Sequence, residues 1–345
     1  MYKVGIIGDG YTAAELLRII AGHDEIEAVA VTSTDNIGRK ISDIYPHLRP
    51  FTQLRCEATD LGYLKDICDA VFLALPHGLS VPMVKELTAA GVKCVDLGAD
   101  FRLKNQSIYE KYYETIHEAP EMLIQAVYGL PELYRDKIKE ASIIANPGCF
   151  PTSAILPLAP LLAAGVIEKR GIVVDSKSGV SGAGKAPKAD SHFCEVNEGI
   201  KAYGVGTHRH SPEIAQELSQ AAGEPVKMIF TPHLVPMNRG ILSTCYCQLR
   251  PGIRAGQVRE TLEDKYRREY FVDVLPDGLY PNTKWVYGSN LVQIGVFADE
   301  ESGQVILVSA LDNLCKGASG QAVQNLNIML GIDEGKGLRF AGIHP

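Results

Sequence analysis

The first 32 residues constrain the fold of this chain more than any other stretch. A strand-like run over 2–7 leads into a turn with two glycines, a helical pattern over 11–21 follows, and a second strand-like run over 26–32 completes a βαβ unit. Strand and helix patterns continue to alternate as far as residue 145. This alternation predicts an α/β fold with a doubly wound, mainly parallel sheet.

The glycine turn matches the dinucleotide-binding fingerprint GxGxxA. Gly8 allows a tight turn, and Gly10 lets the backbone approach a pyrophosphate closely. The amides of Tyr11, Thr12 and Ala13 open the helix and face an anion at its positive end. The sequence therefore predicts that this turn binds a dinucleotide.

The residues after the second strand favour NADP over NAD. An NAD site usually has Asp or Glu at the end of this strand, where the carboxylate binds the ribose 2′-hydroxyl. This chain has Ser33 there, followed by Arg39 and Lys40, which can accept a 2′-phosphate. Asp35 argues the other way because it lies just beyond the expected position, although it can also cap the segment 36–41.

Cys149 is the cysteine with the clearest reason to be reactive. It follows the turn 146–148 and precedes an apolar helical pattern over 150–164, so it lies at a helix start. Pro151 fits a first helical turn, where its missing N–H has no partner to lose. Unpaired amides and the helix dipole stabilise a thiolate at such a position. The pattern predicts a nucleophile, although a buried, inert cysteine fits the same apolar segment.

Two histidines precede a second helix start in the segment HRHSPEI. Ser211 is the predicted N-cap, Pro212 the first helical residue, and Glu213 lies in the first turn. In an extended approach to the helix, the rings of His208 and His210 should point to opposite sides, so that one faces the nucleophile. We choose His208 as acid/base because the helix N-terminus should depress the pKa of His210 and Glu213 can fold back to orient His208. Further ligands at helical spacing are absent from this segment, so acid/base work is favoured over metal binding.

Three other stretches carry candidate ligand-binding groups. Pro76 and Arg102 each follow a strand, where they would face the crevice at the carboxyl ends of the strands. Arg102 can bind an anion there or pair with Asp100. The glycine-rich stretch 178–185 lacks P-loop spacing, but it can wrap an anion with its amides and Lys185, or form a mobile surface loop.

The pattern changes after the Cys149 helix and predicts a second, α+β domain. The alternation over 241–249 suits a sheet with one face packed and the other available to a second subunit. We predict a dinucleotide-binding domain over 1–148, a catalytic and oligomerisation domain over 149–314, and a closing segment, 315–345, whose helix returns to the first domain.

The composition limits the kinds of binding partner that we expect for this chain. The chain has 345 residues, 46% of them hydrophobic and 22% charged, and this length favours two domains. A net charge of −7 without a long basic run argues against nucleic acid and anionic membranes and for a small-molecule substrate. The chain starts directly with a strand and shows no charged leader, so we expect a cytoplasmic protein.

The cysteines and the longest apolar run argue against three other classes of protein: disulfide-rich, zinc-binding and membrane-spanning. Eight cysteines without paired spacing predict neither a disulfide framework nor a zinc site. The apolar run 155–167 is too short to span a bilayer. Its two prolines, Pro157 and Pro160, predict a bent helix because each removes a backbone donor.

Motifs along nearly the whole chain resemble those of one enzyme family. They are PHLRP, LALPHG, DLGADFRL, YGLPEL, ANPGCFPTSAILPL, SGVSGAG, HRHSPEI, PHLVPMNRGIL and DNLCKGASGQAVQNLN. With these motifs the chain resembles the N-acetyl-gamma-glutamyl-phosphate reductases, which are NADPH-dependent enzymes of arginine biosynthesis. The resemblance implies a Rossmann domain followed by a domain like that of glyceraldehyde-3-phosphate dehydrogenase, in a homodimer or homotetramer.

The resemblance also implies roles for individual residues. Cys149 is the implied nucleophile and a histidine of HRHSPEI the acid/base, with Glu213 beside it. The implied NADP-binding residues are Gly8, Gly10, Tyr11, Thr12, Ala13, Ser33, Arg39, Pro76, Ser178, Gly179, Gly182 and Asn313. The implied substrate-binding residues are Asn146, Arg102, Lys185 and His210, and no metal is implied.

Two alternatives stay open, and one departure from the family is visible. The chain can be a related reductase of aspartyl or aminoadipyl phosphate, or an NADP-binding sensor without turnover.

The first glycine turn departs from the family pattern. It reads GDGYTA, whereas family members usually have an alanine–threonine pair in this turn and a glycine after the threonine. Asp9 therefore adds negative charge near the expected pyrophosphate.

Overall fold

The computed structural model describes residues 1–344 and divides into two compact units. Unit 1 comprises Met1–Pro147 and Ala318–Arg339, and unit 2 comprises Gly148–Gly317 and the residues from Phe340 onward. This division differs from the predicted one at the C-terminal end. Ile343 donates its backbone N–H to the carbonyl of Tyr287 at 2.8 Å, which fixes the last residues in unit 2.

Seven parallel strands form the sheet of unit 1. They are β1 (Tyr2–Ile7), β2 (Ile26–Thr32), β3 (Cys56–Glu57), β4 (Ala70–Leu73), β5 (Lys93–Asp96), β6 (Val127–Tyr128) and β7 (Ile143–Ala145). Their order across the sheet is β3-β2-β1-β4-β5-β7-β6. The chain moves outward on both sides of β1, which makes the end of β1 the switch point where open α/β sheets bind ligands. The predicted Rossmann sheet is confirmed.

Helices connect these strands. They are α1 (Tyr11–Ile20), α2 (Ile41–Ile44), α3 (Leu61–Ile67), α4 (Ser80–Ala89), α5 (Gln106–Tyr113) and α6 (Pro131–Lys139). The helix Gly320–Met329 also belongs to unit 1, and its buried amide side chains bond to the backbone there. Gln321 and Asn325 both donate to the carbonyl of Gly129, at 2.7 and 2.8 Å. Buried amides that are bonded in this way fix the helix against one partner surface.

Unit 2 contains a mixed seven-stranded sheet. Its strands are β8 (Ile172–Ser178), β9 (Lys201–Ala202), β10 (Met228–Leu234), β11 (Ile241–Gln248), β12 (Val272–Val274), β13 (Val292–Ala298) and β14 (Gln304–Leu311), in the order β12-β13-β14-β11-β8-β10-β9. Its helices are α7 (Cys149–Ala163), α8 (Phe193–Val196), α9 (Ser211–Ala222), α10 (Gly256–Tyr266) and α11 (Thr283–Val286). This sheet confirms the predicted α+β architecture. Within residues 1–344, no helix is both long and apolar enough to cross a membrane.

The helix α7 continues without a break past both of its prolines. Pro157 cannot donate to the carbonyl of Ser153, and Pro160 cannot donate to that of Leu156. Side chains of unit 2 replace both donors. The hydroxyl of Ser309 bonds to the Ser153 carbonyl at 2.6 Å, and the hydroxyl of Tyr266 bonds to the Leu156 carbonyl. Each buried carbonyl therefore keeps a partner.

We expect Ser309→Ala and Tyr266→Phe to destabilise the protein by about 1–3 kcal/mol each, because each change leaves a buried carbonyl without a donor. Thermal and urea unfolding of each variant measure the loss. Ser107→Ala removes an exposed hydroxyl as a matched control and should shift stability by less than about 0.5 kcal/mol. If both buried variants unfold like the wild type, the replacement bonds do not stabilise the helix.

Candidate active site

Cys149 is the first residue of α7, as the sequence predicts. Gly148 precedes it as the N-cap in an extended conformation. Cys149 is half-buried, whereas six of the other seven cysteines are buried. Burial raises the pKa of Cys68 to about 11 and that of Cys247 to about 12, so these thiols stay protonated at neutral pH. A helix start instead favours the thiolate of Cys149.

Two neighbours fix the backbone around Cys149. The N–H of Gly148 donates to Oε1 of the buried Glu213 at 2.8 Å. Gly317 lies so close that a Cβ added there would be 2.8 Å from the Cβ of Cys149, which permits only glycine. The sequence did not predict this bond between Glu213 and Gly148. Glu213 thus positions the turn that carries the nucleophile.

The histidine rings lie together, and the prediction that they point to opposite sides is wrong. Their centroids are 4.9 Å apart, and both rings meet the ring of Phe150, the residue after Cys149, at 5.8 and 5.9 Å. The approach to α9 is a series of turns, because Gly204 has a φ of 55° and its carbonyl accepts the N–H of His208. Side chains alternate only in extended chain. The helix itself begins at Ser211 with His210 as N-cap, one residue earlier than predicted.

His208 is neutral at pH 7. Burial and the neighbouring charge of Arg209 lower its pKa to about 4. Its Nδ1 accepts the backbone N–H of His210 at 3.1 Å, which assigns the ring proton to Nε2. The lowered pKa of His208 removes the sequence-based reason for preferring this residue as a proton donor at pH 7. The assigned tautomer makes His208 a hydrogen-bond donor through Nε2.

The structure places two predicted substrate ligands, Asn146 and Arg102, inside unit 1. Asn146 is 1% exposed, and its amide bonds to the Ala318 carbonyl and to Asn325 at 3.0 and 3.1 Å. Arg102 is 7% exposed and donates to the carbonyls of Asn146 and Leu97 at 2.7 and 2.9 Å. Both therefore have a positioning role, and their contact with the substrate stays a prediction. They hold the turn that leads to Cys149.

The glycine-rich segment of unit 2 folds around Asn313. The Asn313 side chain donates to the hydroxyl of Ser181 at 2.9 Å and accepts the N–H of Gly240 at 2.7 Å. Ser178 is buried, and Gly182 lies over it, since an added Cβ there would be 2.9 Å from the Ser178 hydroxyl. Gly179 is equally restricted, by the backbone at Asn238. Four predicted cofactor ligands thus lie close together, whereas Lys185 is exposed at the end of the segment.

The fingerprint turn of unit 1 has the shape that a pyrophosphate requires. Gly8 has a φ of 114°, and an added Cβ would be 2.4 Å from the carbonyl of Ala74, so only glycine fits. An added Cβ at Gly10 would meet no atom within 4 Å, which leaves open space above the turn. The amides of α1 open toward this space. The exposed Pro76 lies two residues beyond Ala74 on the loop after β4.

Side chains also meet at the end of β2. Ser33 is buried there, and its hydroxyl donates to the carboxylate of Asp9 at 2.9 Å. The exposed Arg39 donates to the side chain of Asn36 at 2.9 Å. Ser33 and Arg39 thus lie on one loop, as a site for the adenosine ribose requires. Over the described residues 1–344, no three His, Cys, Asp or Glu side chains cluster as metal ligands would.

Known families match both halves of the chain. The profile described as "Semialdehyde dehydrogenase, NAD binding domain" matches residues 3–141, and "Semialdehyde dehydrogenase, dimerisation domain" matches 149–313. The N-acetyl-gamma-glutamyl-phosphate reductase of Pelotomaculum thermopropionicum is 52% identical over 344 residues, 99% of each chain. That of Desulforudis audaxviator is 51% identical over 348 residues, the full length of both. The chain belongs to the N-acetyl-gamma-glutamyl-phosphate reductase family.

Solved structures confirm the fold of this reductase family member. The chain matches aspartate semialdehyde dehydrogenase II of Vibrio cholerae with a TM-score of 0.72 at 19% identity, over 96% of this chain and 98% of the other. It matches the aspartate semialdehyde dehydrogenase of Candida albicans, solved with NADP, with a TM-score of 0.69 at 15% identity, over 96% and 99%. These similarities show the fold, and the sequence relatives show the family.

Sequence reasoning missed Tyr203 as a member of the reductase site. Burial raises its pKa, and the negative charge of Cys149 raises it further, so the phenol is protonated and lies within electrostatic range of the nucleophile. Its ring packs against that of His208 at 5.5 Å. The two-residue strand β9 ends just before Tyr203, and no motif marks the position. The signal lies in the fold, which brings residue 203 to the start of α7.

Proposed function

We propose that this protein reduces N-acetyl-L-glutamyl 5-phosphate with NADPH to N-acetyl-L-glutamate 5-semialdehyde and phosphate, the reductive step of arginine biosynthesis. Full-length relatives at about 50% identity carry the name of this activity. The observation that supports the chemistry best is the placement of Cys149 at the start of α7, where both histidine rings pack against the next residue, Phe150. Neither alternative from the sequence, another acyl-phosphate reductase or a sensor, is favoured by these relatives.

The Cys149 thiolate attacks the acyl carbon of the substrate. A carbon–sulfur bond forms, the bond from that carbon to the phosphate oxygen breaks, and phosphate leaves with the electron pair. The N-terminal amides of α7 stabilise the thiolate before the attack. NADPH, when bound, supplies the hydride that reduces the resulting thioester. The hemithioacetal then collapses, which releases the aldehyde and restores the Cys149 thiolate.

His208 and Tyr203 stabilise the oxygen that becomes negative during these steps. Both carry a hydrogen that they can donate at neutral pH. The neutral His208 has it on Nε2, and Tyr203 has it on its phenol. Donors aimed at a developing oxyanion typically contribute a factor of about 10²–10³ to kcat each. We keep His208 as the catalytic histidine on this basis. His210, whose ring also packs against that of Phe150, keeps its proposed role in substrate binding.

The residues present fit NADPH. In unit 1, Gly8, Gly10 and the amides of residues 11–13 would hold the pyrophosphate, and Ser33 and Arg39 the 2′-phosphate. Pro76 would lie beside them. In unit 2, we retain Ser178, Gly179, Gly182 and Asn313 as cofactor ligands and Lys185 as a substrate ligand. The close packing of the first four supports a shared task.

A comparison of three substrates tests the proposal. NADPH consumption is followed with N-acetylglutamyl, aspartyl and aminoadipyl phosphate as alternative substrates. We expect kcat/KM for N-acetylglutamyl phosphate to exceed the other two by at least about a hundredfold, since a polar group that a site is built to bind discriminates strongly. A preference for either other substrate would refute the assignment, and no turnover with any would support the sensor.

We propose that the protein is a homodimer through the outer face of the unit 2 sheet. One row of apolar side chains crosses five strands there, in paired positions. It consists of Phe297, Ile306, Tyr246, Val173 and Ile229. Ile229 is 60% exposed and Phe297 43%, which is unusual for an apolar row of this length. The matching family profile is named for dimerisation. A tetramer remains the second state to test.

Ile306→Glu should therefore give a monomer, because the charge would be buried without a partner in the paired face. Size-exclusion chromatography with light scattering measures the mass. Ile116→Glu, at a position 78% exposed in unit 1, is the matched control and should leave the assembly of the wild type. An Ile306→Glu protein that keeps the wild-type mass would place the interface elsewhere.

We also propose that the enzyme works in the cytoplasm. All eight cysteines are free thiols in the structure, and six of them are buried. Free thiols persist in a reducing compartment, where disulfides are rare. A fusion to a fluorescent protein, observed in the native cell, tests the location, and a signal confined to the envelope would contradict it.

A further inference from the structure

The carboxylate of Asp9 leaves the fingerprint turn and binds at the end of β2. Its Oδ2 accepts the hydroxyl of Ser33 at 2.9 Å and the side-chain amide of Asn36 at 2.5 Å. The backbone carbonyl of Asp9 accepts the phenol of Tyr45 at 2.9 Å, which fixes the turn on the same side. From the sequence alone, the negative charge of Asp9 is expected near the pyrophosphate. The structure directs it instead toward the loop after β2.

This is the position where a Rossmann fold distinguishes NAD from NADP. In NAD-binding folds, a carboxylate at the end of the second strand accepts the ribose 2′-hydroxyl. Here that strand ends in Thr32 and is followed by Ser33, so the strand end itself supplies no carboxylate. Asp9, on the glycine turn, supplies a carboxylate to the loop after this strand. The side chain is half-buried, where the effect of its charge is screened less than on an open surface.

The groups that Asp9 engages are the donors that a 2′-phosphate would need. Ser33 and Asn36 both donate to its Oδ2. Arg39, a cation of this loop beside Lys40, donates to the other end of the Asn36 side chain. A phosphate that binds these donors must displace or adjoin a carboxylate of like charge. A 2′-hydroxyl can instead donate to that carboxylate.

We propose that Asp9 is a specificity-determining residue that weakens binding of the 2′-phosphate. The protein therefore distinguishes NADPH from NADH less than Ser33 and Arg39 alone would dictate. Asp9 acts on affinity for the adenosine half of the cofactor and leaves the chemistry at Cys149 unchanged. This inference rests on the proposed binding of NADPH to unit 1.

Asp9→Asn tests the proposal, because the amide keeps the shape and an acceptor for Ser33 while it removes the charge. Calorimetric titration of the full-length protein with NADPH and with NADH measures both affinities, and the two ligands differ only in the 2′-phosphate. We expect Kd for NADPH to fall about tenfold and Kd for NADH to stay the same or rise. Asp9→Ser should change the ratio of the two Kd values in the same direction. This second variant shows whether the effect comes from the lost charge rather than from the new asparagine.

Asp66→Asn is the matched control. Asp66 carries the same charge in unit 1, but it is exposed on α3 rather than on the loop after β2. This change should alter both Kd values less than about twofold. The proposal is overturned if Asp9→Asn leaves Kd for NADPH unchanged or raises it, or if Asp66→Asn reproduces the gain. A wild type that binds neither dinucleotide would refute the proposed cofactor as well. A ratio of the two Kd values that is unchanged in Asp9→Asn would refute this inference alone.

Discussion

Cys149→Ser should lose at least about a thousandfold in kcat with N-acetylglutamyl phosphate and NADPH. The amides at the start of α7 can favour a thiolate, whose ordinary pKa is near 8.5, but a serine hydroxyl stays protonated at pH 7 in the same position. Without the nucleophile, neither the thioester nor its reduction can follow. Stopped-time assays of NADPH consumption measure the loss.

The control for this substitution is Cys194→Ser. Cys194 is an exposed thiol of unit 2, so the chemical change is the same while the helix start is untouched. We expect this variant to keep kcat within about twofold of the wild type. Cys149→Ser protein that retains more than a few per cent of activity would be incompatible with covalent catalysis.

The second large effect concerns the two histidines, compared as separate variants. His208→Asn should lower kcat about a hundredfold or more, because it removes the Nε2 donor beside Tyr203. His210→Asn should mainly raise KM for the acyl phosphate, with a smaller loss of kcat. Steady-state kinetics with varied substrate separate these effects. The opposite pattern, with kcat lost in His210→Asn and retained in His208→Asn, would reverse the assignment.

The lowered pKa of His208 gives these variants a second readout. His208 takes up a proton near pH 6.5 when unfolded but only near pH 4 when folded. Between these values the unfolded state binds more protons, so the folded state loses stability as pH falls through this window. The loss reaches about 3 kcal/mol, and His208→Asn should lack it. Equal acid sensitivity of wild type and variant would contradict the burial of a neutral imidazole.

The sequence predicted the strands and the catalytic helix because their signals are local. The runs 2–7 and 26–32 coincide with β1 and β2, and Cys149 begins α7 as the turn before it indicates. The two-residue strands β3, β6 and β9 and the three-residue β12 were not predicted, since strands so short carry little pattern of their own. Pattern reasoning succeeds where one stretch of chain determines its own structure.

Long-range contacts explain what the sequence could not predict. Glu213 accepts the N–H of Gly148, 65 residues away, and nothing in the segment around Glu213 predicts that bond. The positive φ of Gly204 turned an expected extended segment into a turn and brought both imidazoles to Phe150. Asp9 likewise finds Ser33 across two adjacent strand ends. The contacts of Glu213 and Asp9 depend on tertiary neighbours that spacing does not encode, whereas the turn at Gly204 is local.

The covalent intermediate is the central claim, and mass spectrometry tests it directly. The wild type is mixed with N-acetylglutamyl phosphate without NADPH, quenched in acid and weighed intact, and its peptides are then sequenced. We predict a mass increase of one N-acetylglutamyl group on the peptide that carries Cys149, its loss on addition of NADPH, and no adduct in Cys149→Ser. An unmodified wild type under conditions that release phosphate, or an adduct on another residue, would contradict the account.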